Sequence, residues 1–165
     1  REEYAAVVAT ADWHVDPGAH FAEIPDYVDT WPAHCRAGTA GAAFHPAAAR
    51  AVEHVEAIFR KGRNSAAYSG FEGRADDATD EGPDSGEGEP LGSWLRHREG
   101  DAVDVVGIAT DHCVRATALD AVAEGFATRV ILPLTAGVAA ETTAAALREL
   151  DEAGVELVGK PVVRS

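Results

Sequence analysis

One carboxylate and three imidazoles, Asp12, His14, His20 and His34, fall within a Gly/Pro-rich stretch. It runs Asp12-Trp-His-Val-Asp-Pro-Gly-Ala-His20-Phe21 and resumes as Trp31-Pro-Ala-His34. Carboxylate plus imidazole, with no thiolate needed, suits a divalent transition metal such as zinc, iron or manganese. A three-His, one-Asp set that leaves positions open to water or substrate makes a working site rather than a structural staple. Asp16, within Asp16-Pro17-Gly18, reads instead as a turn residue. His45, His54 and His97 have no partner pattern and read as surface groups.

A second signal lies in Val105-Val-Gly-Ile-Ala-Thr-Asp-His-Cys113-Val-Arg115, which ends an apolar strand and begins a helix. A cysteine in a first helical turn sits at the positive end of the peptide dipoles, near backbone N–H groups. Both favour the thiolate. The same N–H groups can hold the oxyanion formed when that thiolate attacks a carbonyl. Lys61, at the end of another strand, could add positive charge. The competing reading makes Cys113 a small buried hydrophobe; its place at a strand's carboxyl end favours the nucleophile.

Both sets need a scaffold that brings strand ends together. Tyr4-Ala-Ala-Val-Val-Ala-Thr10 reads as a buried strand feeding a metal loop over 11–46. A short helix over 47–55 and a strand over 56–60 follow, then a loop over 62–90 and a short helix over 91–98. The run 103–109 is the clearest strand in the chain. Thr110 or Asp111 can cap the helix that continues to Gly125, with Val114, Thr117, Ala118, Ala121 and Val122 on its buried face. A strand over 128–132, a helix over 141–153 and a strand over 155–158 complete the order. This alternation predicts an α/β three-layer sandwich with a mainly parallel sheet, whose carboxyl edge gathers ligands.

Length and charge narrow the function classes. At 165 residues the chain predicts one domain over 1–165, with no internal repeat, signal stretch or membrane-spanning run. The net charge of −14 argues against a nucleic-acid partner or an anionic membrane surface. Eight acidic residues against one arginine in 72–90 supply half of it. That segment has almost nothing to bury and reads as an acidic mobile surface loop. Cys35 and Cys113 form no disulfide framework, so a reducing cytoplasm is the expected compartment. Monomer and homo-oligomer both remain open. The chain has no methionine and opens on Arg1-Glu-Glu directly before a strand, so it reads as N-terminally incomplete.

Five motifs carry a family resemblance: Asp12-x-His14-x5-His20, Trp31-Pro-x-His34-Cys35, Phe59-x-Lys61-Gly62, Ala67-Tyr-Ser-Gly-Phe71 and Gly107-Ile-Ala-Thr-Asp-His-Cys113-Val114. In this order they resemble the bacterial nicotinamidase/pyrazinamidases among the isochorismatase-like cysteine hydrolases. The resemblance implies hydrolysis of nicotinamide (and pyrazinamide) to the acid and ammonia through a cysteine thioester. It makes Cys113 the nucleophile, Lys61 the partner of its thiolate, and Ala109 and Cys113 the oxyanion N–H donors. It implies a cis Ile108–Ala109 peptide, a metal on Asp12, His14, His20 and His34, and a ring pocket shaped by Trp31, Tyr68, Ile108 and His112. It also implies a first, central strand carrying a catalytic aspartate ahead of residue 1, between the strands at 4–10 and 103–109. Asp111 is a poor substitute for that aspartate. Two alternatives accompany this reading: another small-amide hydrolase of the same superfamily, and a metal-binding fragment without activity.

Overall fold

The computed structural model describes residues 4–76 and 88–163. The chain divides into two compact units, Arg1–Ala67 with Glu72–Leu91, and Tyr68–Phe71 with Gly92–Ser165. Strands and helices alternate along most of the chain, and among the described residues every strand pairing but one is parallel.

In the first unit β1 (Val8–Asp12) lies parallel to β2 (Ala57–Lys61), and β2 lies antiparallel to the two-residue β3 (Arg74–Ala75). β1 begins later and ends later than the apolar run 4–10 suggests. Its limits are set by its partner, because Val8 faces Ala57 and Asp12 faces Lys61 in register. Asp12 is therefore a strand-end residue, fixed by backbone pairing, and Tyr4 is exposed ahead of the strand. Helix α1 (Pro46–Val52) connects the long loop to β2. The acidic segment over 72–90 contributes β3 and a bridge from Arg74 to Pro90, while residues 77–87 lie outside the described residues.

The second unit holds α2 (Leu91–His97), β4 (Ala102–Ile108), α3 (Arg115–Ala123), β5 (Ala127–Gly137), α4 (Ala140–Glu152), β6 (Glu156–Val158) and β7 (Val162–Val163). β5 pairs in parallel with β4, β6 and β7. Its residues Thr128, Val130 and Leu132 are buried, and Val130 and Leu132 form a cluster with Val114, Ala118, Leu150 of α4, and Val155. Burying each aliphatic side chain of this kind contributes about 1.5–3 kcal/mol. α4 earns its place by period: Thr143, Ala146 and Leu150 fall on one stripe. β5 runs five residues past the predicted end at Leu132, because a bulge absorbs Pro133: Val105 pairs with Val130, but Gly107 already pairs with Thr135.

Between β4 and α3 the chain makes one π-helical turn, Thr110–Val114, whose cap position is Ala109. The expected capping by Thr110 or Asp111 does not occur; no side chain caps this turn. Both residues face other elements instead. The Thr110 hydroxyl donates to that of Thr135, which donates to the Leu132 carbonyl. The buried Asp111 carboxylate accepts the N–H groups of Val138 and Ala139 and the hydroxyl of Thr142. Asp111 thus holds the two residues that lead into α4, and Thr142 in its first turn, against the turn after β4.

Burial alone would raise the Asp111 pKa, but the bonds from Thr142, Val138 and Ala139 outweigh it and hold the group below its ordinary 3.8. A depressed carboxylate pKa stabilises the fold above the unfolded value and loses that contribution as pH falls through the folded one. Asp111→Ala should therefore cost about 2 kcal/mol near neutral pH, and the deficit should shrink below about pH 4. Thermal unfolding of both proteins across that range measures it; a deficit independent of pH would contradict the latch.

Candidate metal and nucleophile sites

Three of the four expected ligands converge in the first unit. One ring nitrogen each from His14, His20 and His34 lie within 4.8 Å of one another, and the ring centroids stand 4.9–5.4 Å apart. Each ring is turned by a backbone carbonyl: His14 Nδ1 on Gly62 O at 2.5 Å, His20 Nδ1 on Asp29 O at 3.2 Å, and His34 Nδ1 on Pro32 O at 2.8 Å. A carbonyl can only accept, so every Nδ1 carries the proton and every Nε2 presents a lone pair. His14 is only 1% exposed, and its Nε2 is buried with no hydrogen-bond partner. An orphaned nitrogen of that kind costs about 1–3 kcal/mol unless something binds it. A divalent cation fits this donor set, with the second nitrogen of each ligand already committed to an outer partner.

Electrostatics agree. Burial pushes the His14 pKa below its ordinary 6.5, opposed in part by the Gly62 carbonyl and by Asp12. Burial likewise lowers His20. Both rings are thus held neutral, the form that binds a cation.

Asp12 stands at the end of β1 opposite Lys61, and the buried Lys61 ammonium donates to its carboxylate and, at 2.7 Å, to the Ala67 carbonyl. The residue assigned to the thiolate by resemblance is therefore ion-paired with the residue assigned to the metal. A carboxylate has two oxygens and can serve two cations. Gly62, the next residue, has φ +74°, and a Cβ there would lie 2.5 Å from His14 Cε1. The end of β2 accordingly holds Asp12 by charge and the His14 ring by a carbonyl and an empty space.

The loop between His20 and His34 is closed on the cluster. Trp31 donates its N–H to the His20 carbonyl at 2.8 Å and accepts that of Ala22 at 3.0 Å. Phe21 packs edge-on against His14 and His34, each 5.3 Å away. His45, His54 and His97 are exposed. Gly62, Asp29 and Pro32 were not singled out as ring-orienting groups, because a backbone carbonyl leaves no mark on residue type.

The second unit contains Cys113, half-buried in the π-helical turn at the end of β4. The Ile108–Ala109 peptide is cis, and the Ala109 carbonyl receives the N–H groups of His112 and Val114. Ile108 is 77% exposed. Tyr68 stacks on His112 at 6.0 Å, and burial holds the His112 pKa below 6.5 against the opposing pull of Asp111. Tyr68 belongs to a short segment tied to α3 by the bond from Gly70 N–H to Thr117 Oγ1 at 2.8 Å. Asp111 cannot serve as a mobile acid beside Cys113, since its carboxylate is occupied by the latch to α4.

Comparison with known proteins places this geometry. The chain is 56% identical over 156 residues to the nicotinamidase/pyrazinamidase of Mycobacterium tuberculosis, covering 94% of this chain and 77% of that protein. The crystal structure of the pyrazinamidase of Pyrococcus horikoshii in complex with zinc superposes with a TM-score of 0.70 at 32% identity, over 95% of this chain and 76% of that one. PnC1 from L. infantum in complex with nicotinate superposes with a TM-score of 0.70 at 33% identity, over 95% and 74%. The isochorismatase domain model matches residues 1–160, and the chain belongs to that family of hydrolases.

Proposed function

We propose that this protein hydrolyses nicotinamide to nicotinate and ammonia, and pyrazinamide in the same way. The observation that carries the reading is the cluster of His14, His20 and His34, pre-oriented through Nδ1 with a buried, partnerless Nε2 on His14. It stands in a chain 56% identical to a nicotinamidase/pyrazinamidase. A relative in complex with zinc and another in complex with nicotinate support the same chemistry.

In this reading His14, His20, His34 and Asp12 would hold one divalent metal. When bound, it would supply a Lewis-acidic position to help orient the substrate's ring. Cys113 Sγ, as thiolate, attacks the carboxamide carbon, and the carbonyl oxygen takes up the charge. The N–H groups of Ala109 and Cys113 receive that oxyanion. The carbon–nitrogen bond breaks, the nitrogen gains a proton, and ammonia leaves a thioester on Cys113. Water then cleaves the thioester to the carboxylate and restores the thiol. Lys61 keeps a positive charge at the end of β2 while neutralising Asp12. Trp31, Tyr68, Ile108 and His112 shape the surroundings of the ring. Cys35 and Cys113 form no disulfide, which suits a reducing compartment that we take to be the cytoplasm.

Ammonia release from nicotinamide, with nicotinate identified as product, tests the reading directly. Cys113→Ala should lower kcat by roughly 1,000-fold or more, as expected for loss of a nucleophile. An alanine variant that kept wild-type turnover would remove the thioester route. Chelation should abolish turnover, and zinc, iron or manganese should restore it; activity indifferent to a strong chelator would exclude the metal's role. Gly62→Ala should weaken metal binding by about 10- to 100-fold by displacing the His14 ring, read by competition with a chromophoric chelator.

A further inference from the structure

The three carbonyls that orient the imidazoles are secured in different ways. Gly62 O belongs to the residue directly after β2, and Pro32 O lies two residues from the ring it serves. Asp29 O sits in the loop 24–30, which forms no strand or helix and exposes Ile24 to 93%. Ordering a loop of this kind needs local hydrogen bonds, because burial contributes little.

Asp26 supplies them. One oxygen of its carboxylate accepts the N–H groups of Val28 at 2.9 Å, Asp29 at 3.0 Å and Thr30 at 2.9 Å, and the Thr30 hydroxyl at 2.9 Å. The Asp26 N–H donates to Thr30 Oγ1 at 2.9 Å, and the Tyr27 N–H donates to Thr30 O at 3.1 Å. The consequence follows from peptide geometry. In a trans peptide the carbonyl and the N–H point in opposite directions. Tying the Thr30 N–H to Asp26 therefore aims the Asp29 carbonyl away from Asp26, and its partner there is His20 Nδ1. Immediately afterwards the chain returns to the cluster, where the Trp31 N–H meets the His20 carbonyl. The same bonds, first from the Val28 N–H and then from Thr30, hold Asp26 far below the usual carboxylate range, so its charge persists at any working pH.

We propose that Asp26, an exposed side chain outside the ligand set, is a positioning residue for the metal centre, acting through the Asp29 carbonyl on the His20 ring. The inference rests on the reading of His14, His20 and His34 as metal ligands. It requires hydrogen-bond acceptance at position 26 rather than charge alone.

Zinc titration of the full chain, with the visible spectrum of the cobalt(II) form as a second readout, tests it. Asp26→Ala should weaken zinc affinity by about 10-fold or more and alter the cobalt spectrum, as loss of an outer partner of a metal-bound histidine does. Asp26→Asn retains a side-chain oxygen acceptor and should recover most of the affinity. Glu23→Ala removes an equal charge from the exposed residue just ahead of this loop and should leave the affinity unchanged. Wild-type affinity and spectrum in Asp26→Ala would overturn the proposal. So would an asparagine variant as weak as alanine, or a matching loss in Glu23→Ala, since either makes charge the agent. Zinc binding unaffected by His20→Ala would instead remove the metal centre, and this inference with it.

Discussion

The first unit is organised around a single constraint: a fully buried imidazole whose outer nitrogen meets no protein partner. Desolvation without compensation is expensive, and a fold tolerates it only where a ligand relieves it. Around His14 the chain spends several devices on keeping that nitrogen available. The Gly62 carbonyl fixes the tautomer, the missing side chain at 62 leaves room for the ring, and Phe21 packs against it. Burial then keeps the ring uncharged. A histidine serving only as core packing would not need this arrangement.

The second unit applies the same logic with different parts. Its turn carries a cysteine between a strand end and a helix, and side chains on neighbouring elements hold the turn in place. Thr110 ties it to Thr135 on β5, and Asp111 ties it to the first residues around α4. Apolar packing of Val130, Leu132 and Leu150 supplies the floor. The turn that carries Cys113 is anchored in this packing by Val114, which keeps its backbone N–H groups in place. Fixed dipoles need no reorganisation when charge develops, and this is the source of their catalytic value.

Much of this was legible in the residues. Apolar runs and their alternation with helical segments give the α/β class, because burial patterns follow backbone periodicity. Imidazole spacing points to the histidine cluster, and the apolar run before Cys113 points to its place after a strand. Other features were hidden for definite reasons. The limits of β1 depend on pairing with Ala57–Lys61, a contact between residues far apart in sequence. The continuation of β5 through Pro133 depends on a bulge, which composition does not encode. Asp111 looks like a cap for its own helix and instead binds the residues that lead into α4 and the Thr142 hydroxyl. The ion pair between Lys61 and Asp12 joins two residues whose separate roles each looked self-sufficient.

Anchoring ligands through main-chain oxygens has an evolutionary corollary. Every amino acid carries a carbonyl, so the side chain at position 29 is free to drift while the oxygen that steers His20 persists. Selection should then register at places that look unremarkable by chemistry, a small residue in one tight corner and a solvent-facing acid in one loop. A lineage could exchange much of the surface of this loop and still inherit an identical coordination geometry.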